Sequence, residues 1–282
     1  MTADVLKERI DKFNLLTNNF KHEKISSLVV SHKIKKKLFK KICSAVNKYV
    51  QISKKNKFIN RTPNGKLVPK QEVSYQYLRV IKAYRDIILS MNFESKISKW
   101  VFPVVRYKDI KMDNKFKNRP TRSELPHSDA WAGWDKNSIL IQIPIGGDIK
   151  NNRVTYYDMP NKITKNWFAK KNFKDVQKSL VSLCKPINHH YKKGYLYLSD
   201  IAVVHKTTKG KGCKPRSSID IPLILKPGRK NDYGIKDCLN TNQIKALGKT
   251  MSIKCPLKMG QIDGIAGKRN PTSCIVNKLR AN

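Results

Sequence analysis

The sequence predicts an α+β protein, a helical N-terminal region followed by an antiparallel sandwich or barrel. Three observations carry this. Apolar residues recur at helical spacing through residues 1–95. From Trp100 the texture changes to short β-branched and aromatic runs separated by turn signals. The 282 residues suffice for one large domain with a sizeable core. The expected organisation is a helical region at 1–98 packed on a β core at 99–228, then a basic extension at 229–282.

The elements follow in order. Val5, Leu6, Ile10, Phe13, Leu16 and Phe20 mark a first helix. Residues 28–50 repeat the pattern: Val29, Val30, Ile34, Leu38, Phe39, Ile42, Ala45, Val46 and Val50 share an apolar face. Lys35, Lys36, Lys37, Lys40 and Lys41 lie opposite, as on a solvated face. A loop at 54–69 turns at Thr62-Pro63-Asn64-Gly65. A further helix at 71–91 offers Tyr75, Leu78, Ile81, Ile87 and Ile88 for burial. Residues 100–107 read as one strand, followed by a polar loop up to Arg119-Pro120. Strands are expected at 138–145, 153–157, 194–198, 201–205 and 217–225, with a short helix near 176–183. Asp148 and Asp200 read as turn residues. Pro227-Gly228 closes the region, and residues 229–282 show no clear period.

Charge is the unusual compositional feature. Lys and Arg number 59 against 20 Asp and Glu, a net charge of +39. Such a chain is drawn to polyanions in low salt, so non-specific nucleic-acid binding or an anionic substrate is one reading; compositional drift toward Lys, Asn and Ile is the other. No apolar run approaches the ~18–20 residues of a membrane span. The charged start, with Asp4, Lys7, Glu8 and Arg9, does not read as a secretory signal. The expected location is therefore cytoplasmic. The six cysteines are scattered without a C-x-x-C pair, which argues against a zinc ribbon and for reduced thiols.

Two stretches hold the chemistry. In the first, His127 and Asp129 stand two residues apart; on extended backbone such residues point to the same side, about 6.5–7 Å apart. In the second, His205 is followed by Arg216-Ser217-Ser218. Two imidazoles and one carboxylate on one face suit an oxygen-activating iron(II), with open positions left for reactants. A dicarboxylate cosubstrate that chelates the metal by its keto-acid end would place its far carboxylate deep in the barrel. A fork-shaped cation such as Arg216 meets that need, and Ser218 on the same face offers a hydroxyl.

With this order and spacing, His127-Ser128-Asp129, His205 and Arg216-Ser217-Ser218, the chain resembles the 2-oxoglutarate and iron(II)-dependent oxygenase superfamily over roughly residues 100–226, closest to its phytanoyl-CoA-hydroxylase-like branch. The resemblance implies a double-stranded β-helix, or jelly roll, with helices outside it. It implies iron(II) held by His127, Asp129 and His205, with Arg216 and Ser218 binding the cosubstrate. It also implies decarboxylation of 2-oxoglutarate to succinate with O2, and hydroxylation of a small-molecule, lipid or carbohydrate-linked substrate.

Other residues are candidates beside alternatives. Thr207, two residues past His205, binds cosubstrate or is an exposed strand hydroxyl. Gln142, the long polar side chain in an apolar strand, faces the barrel interior or solvent. Arg106 reaches an anion or points to solvent. Trp131 and Trp134 line a substrate pocket or simply pack. His22, His32, His189 and His190 read as non-ligands. Two further functional readings stand beside the oxygenase on small molecules. One is the same chemistry on nucleic acid; the segment after Arg216 lacks the additional Arg and Asn positions that repair-type demethylases carry. The other is a non-catalytic basic jelly-roll binding protein, although no ligand of the motif is missing.

Overall fold

The strands divide between two antiparallel sheets, and consecutive strands of the core alternate between them. The computed structural model describes residues 5–55, 64–67, 73–108, 122–226, 238–239 and 241–246. In chain order these are α1 (Val5–Thr17), β1 (Glu23–Ser26), β2 (Val29–Lys33), α2 (Lys36–Lys55), α3 (Ser74–Leu89), β3 (Ile97–Val101) and β4 (Val104–Lys108). There follow β5 (His127–Ser128), β6 (Ser138–Gly147), β7 (Asn152–Tyr156), β8 (Tyr195–Asp200), β9 (Val204–Lys209), β10 (Arg216–Leu225), β11 (Cys238–Leu239) and α4 (Thr241–Ala246). The larger sheet runs β1-β2-β8-β6-β10-β3-β11, with β4 also paired to β10; the smaller runs β5-β9-β7. From β4 to β10 the chain therefore steps between the sheets at every strand.

The N-terminal region is only partly helical. In α1, Leu6, Phe13 and Leu16 are buried, and Asn19 Nδ2 donates to the free carbonyls of Leu15 and Leu16 at its end. Residues 28–34, expected at the start of a helix, instead belong to the β1–β2 hairpin, and β2 pairs along β8 from Val29↔Ser199 to Lys33↔Tyr195. β-Branched Val29 and Val30 are buried on this added strand, which gains a full ladder of backbone bonds. The helix begins later, and in α2 Ile42, Ala45, Val46, Tyr49 and Val50 are buried while Lys35, Lys36, Lys37, Lys40 and Lys41 are exposed. In α3, Leu78, Ile81, Ile87 and Ile88 are buried as expected, but Tyr75 is 60% exposed. At roughly 100° per residue, Tyr75 stands across the helix from the stripe of Tyr77, Ile81, Tyr84 and Ile88.

The strand expected at 100–107 is two strands. Pro103 has no N–H to give a ladder, and the chain breaks at Phe102-Pro103. β3 then pairs the end of β10 and β4 pairs its beginning. The segment expected as a strand at 201–205 is mostly a turn. Asp200 Oδ1 accepts the Ala202 N–H at 2.8 Å, the Val203 N–H donates to the Asp200 carbonyl at 3.1 Å, and β9 starts only at Val204. Arg9 of α1 grips the same aspartate through Nε and Nη2 at 2.8 and 2.7 Å. Asp148 is also a turn residue, accepting backbone N–H groups of Asn151 and Lys214 that hold its carboxyl below the usual range. The helix expected near 176–183 is a single 3-10 turn, Val181–Leu183.

The sheet's outer face is aliphatic. Ile139, Ile141 and Ile143 of β6 stand beside Leu223, Ile221 and Ile219 of β10, all buried. The helices cover this side: Cys43 Sγ of α2 donates to the Ile145 carbonyl, Tyr77 Oη of α3 to the Pro103 carbonyl, and Tyr84 meets Trp100 edge-on. The inner face is polar, and Tyr156 Oη of β7 donates to Gln142 Oε1 of β6 at 2.6 Å, tying the two sheets together. Among the described residues no helix is long and apolar enough to cross a membrane. The loop turn at 62–63 and nearly all of 229–282 lie outside the described residues.

Candidate metal and anion site

His127, Asp129 and His205 converge. β5 pairs with β9 so that His127 stands opposite His205, and the two rings lie 4.6 Å apart. Ser128 is extended, with φ −99° and ψ 138°, but Asp129 already opens a 3-10 turn that runs to Ala132. The pair is therefore brought round by a turn rather than by continuous strand. Asp129 Oδ1 is 3.7 Å from His127 Nε2, and Oδ2 is 4.0 Å from His205 Nε2. One ligand atom from each of the three lies within 4.8 Å of the others. Ligands about 2.0–2.2 Å from one ion can be at most about 4.4 Å apart, so both carboxylate–imidazole distances already fit a shared cation.

The tautomers fit as well. His127 Nδ1 lies 2.7 Å from the Leu125 carbonyl, and His205 Nδ1 lies 3.2 Å from the Val203 carbonyl. A carbonyl only accepts, so each Nδ1 carries a proton and each Nε2 is the nitrogen left to face Asp129. Burial, and then the neighbouring His205, press the His127 pKa well below the usual imidazole value, which keeps that ring neutral. Phe173 stacks on His127 with centroids 4.5 Å apart and planes 16° from parallel. The turn before β9 supports both halves of the cluster: the Ile201 carbonyl accepts from Ser128 Oγ at 2.8 Å and from the Ala130 N–H at 3.3 Å.

The inner face beside the triad is cationic. Arg216 opens β10 opposite Lys108 of β4 and is 1% exposed. Its Nε and Nη1 make no hydrogen bond among the described residues. Buried N–H groups are nearly always paired, so two unpaired ones on one guanidinium mark a place for an anion. Lys108 is also 1% exposed; it donates to Ser123 Oγ and stands 3.5 Å from Glu124, which Lys209 and Arg122 approach at 3.6 and 3.8 Å. Burial lowers the Lys108 pKa to about 7 against the pull of Glu124. Arg106 binds Asp220 and donates to the Asn64 carbonyl at 3.1 Å; it is part-buried and inward-facing rather than a solvent-facing arginine.

The remaining expected residues divide. Ser218 is fully buried on the face of Arg216, but its Oγ donates to Asp220 Oδ1 at 3.4 Å. Thr207 is buried two residues beyond His205, on the same side of β9, and its N–H donates to the Ser123 carbonyl. Gln142 faces inward, with Tyr156 as its partner. Trp131 is fully buried against Trp167, 5.3 Å away, and Trp134 packs half-buried on the core. Phe173, Lys108, Tyr156 and Tyr191 went unread in the sequence. Lys108 was within reach of it, because residues 106 and 108 of one strand share a face. A groove of about 740 Å³ bordered by Asn47, Val50, Tyr107 and Ser217 opens on the outer side of β4 and β10, away from the triad.

No family model matches the chain, and none of the curated proteins matches it. Solved structures do. The chain is similar to AviO1 from Streptomyces viridochromogenes Tue57, at 9% identity over 81% of this chain and 99% of that one, with a TM-score of 0.49. It is also similar to two enzymes of nogalamycin biosynthesis. The non-heme alpha-ketoglutarate-dependent epimerase SnoN gives 10% identity over 78% and 84% and a TM-score of 0.46. The non-heme alpha-ketoglutarate-dependent carbocyclase SnoK gives 12% over 82% and 90%, also at 0.46. At such values the functional reading rests on the site itself.

Proposed function

We propose that the chain is an iron(II)- and 2-oxoglutarate-dependent dioxygenase built on a double-stranded β-helix. The observation that carries this is the convergence of two imidazoles and one carboxylate beside a buried arginine with unbonded N–H groups. The strict alternation of β4 to β10 between two sheets supports the jelly-roll reading. His127, Asp129 and His205 would hold the metal, a donor set suited to iron(II) with positions left open. Arg216 would anchor the far carboxylate of 2-oxoglutarate. When bound, the metal and cosubstrate supply oxidation by O2 coupled to decarboxylation to succinate. The chain's own residues orient the imidazoles through backbone carbonyls, keep His127 neutral, and wall the ring with Phe173.

The substrate we propose is a small molecule, with lipid- or carbohydrate-linked compounds included. His127 and His205 are only 5% and 7% exposed and Asp129 is the most open of the three, an enclosed setting that supports a small reactant. The spacing of His127-x-Asp129, His205 and Arg216 supports placement in the phytanoyl-CoA-hydroxylase-like branch. Anaerobic titration with iron(II) and 2-oxoglutarate, followed by oxygen exposure and succinate measurement, tests the assignment. One metal per chain, a visible charge-transfer band on adding the keto acid, and loss of both in His127→Ala and His205→Ala are expected. Wild-type protein that binds neither metal nor keto acid would sink the reading.

A further inference from the structure

The residue pattern points to Ser218 as the hydroxyl that accompanies Arg216, but the structure offers a different one. Ser218 Oγ is engaged with Asp220 Oδ1, and Asp220 is engaged with Arg106. Tyr191, in contrast, is 6% exposed and its Oη has no hydrogen-bond partner among the described residues. The guanidinium carbon of Arg216 lies 5.6 Å from the centre of the Tyr191 ring. The two tyrosine hydroxyls nearby are occupied: Tyr156 Oη donates to Gln142, and Tyr197 Oη donates to the His190 carbonyl while accepting the Lys192 N–H. Tyr191 is itself held in place, packed on Tyr197 at 4.7 Å and meeting His189 edge-on at 6.5 Å. A buried phenol whose O–H lacks a partner and a buried guanidinium with two unbonded nitrogens therefore lie close together, the guanidinium over the phenol ring, and both are donors.

We infer that Tyr191 is the second arm of the anion pocket, donating its O–H to the carboxylate that Arg216 binds. The inference rests on the proposed role of Arg216 and moves the hydroxyl from Ser218 to Tyr191. A rigid phenol loses little conformational freedom on binding, and its unmet O–H is satisfied only when the carboxylate arrives.

The test uses calorimetry on the full-length chain loaded with manganese(II), which does not turn over. It compares 2-oxoglutarate with 2-oxopentanoate, a keto acid of the same length without the far carboxylate. Tyr191→Phe should weaken 2-oxoglutarate about tenfold and leave 2-oxopentanoate within about twofold. Ser218→Ala should leave both acids within about twofold, and Arg216→Met should abolish the preference for 2-oxoglutarate. Because Tyr191 Oη has no partner, the melting temperature of metal-free Tyr191→Phe should equal or exceed that of wild type, which a structural role for the hydroxyl would not allow. Unchanged 2-oxoglutarate affinity in Tyr191→Phe, with the Arg216→Met loss intact, overturns the inference and spares the function. A wild-type protein that does not prefer 2-oxoglutarate overturns both.

Discussion

The two faces of β10 do opposite work within one ten-residue strand. Outward, Ile219, Ile221 and Leu223 are fully buried against Ile143, Ile141 and Ile139 and sit under the helices. Inward, Arg216, Ser218 and Asp220 meet Lys108, Arg106 and Gln142 across the neighbouring strands. The outer face gives up apolar area to water on unfolding and holds the fold together. The inner face buries charge, which contributes little net stability and which the proposed function assigns to binding. Stability and chemistry are thus separated by the pleat, one residue apart.

Substitutions can break that separation. The largest effect is expected at the triad, where His127→Ala should lower metal affinity and turnover by more than the roughly 10–100-fold typical of an outer-shell change, as read by metal titration and succinate release. On the outer face, Ile221→Ala should cost about 2–5 kcal/mol in denaturant unfolding while the folded fraction keeps its keto-acid affinity. Arg216→Met should do the reverse, weakening 2-oxoglutarate about a hundredfold while leaving the melting temperature equal or higher. Comparable losses of both properties in both variants would show the faces to be coupled. Gln142→Leu leaves Tyr156 Oη buried without an acceptor and should cost about 1–3 kcal/mol, much less so in combination with Tyr156→Phe.

A further expected effect is a pH trend. Lys108 is pressed by burial from 10.5 to about 7, so between those values the unfolded chain holds a proton that the folded chain releases. Unfolding free energy therefore rises with pH across this window through Lys108. Wild type should gain on Lys108→Met as pH is raised from about 7 to about 10 in equilibrium unfolding. A difference that stays flat would place the lysine's charge outside the buried network.

Much of this was legible in advance, for identifiable reasons. Strands β6, β7 and β10 lie close to where their β-branched runs put them, because such runs are bounded by glycines and polar turns that mean the same thing in any fold. The convergence of His127, Asp129 and His205 was readable because spacing and order suffice to nominate a ligand set. The β1–β2 hairpin was not, since Val29 and Val30 fit a helical stripe as well as a strand until β8 is there to pair with them. Phe173 and Tyr191 were not either. They come from stretches without period, and nothing local tells a residue which distant ring it will meet. Ser218 shows another limit: its spacing puts it on the face of Arg216, and only the fold shows that its Oγ meets Asp220.

The turn at residues 200–203 sets a schedule for the protein. Its Asp200 takes Arg9, its Ile201 carbonyl takes Ser128 and Ala130, its Ala202 carbonyl takes the Trp167 indole, and its Val203 carbonyl orients His205. A nascent chain that has not yet produced this turn owns at most two of the three residues of the triad, without the Ile201 carbonyl that holds Ser128 and Ala130 between and beside them. An ion held as proposed would bridge residues 127 and 205, a long loop whose ends the β5–β9 pairing already brings together. Metal retention would then depend on a four-residue turn that supplies no ligand.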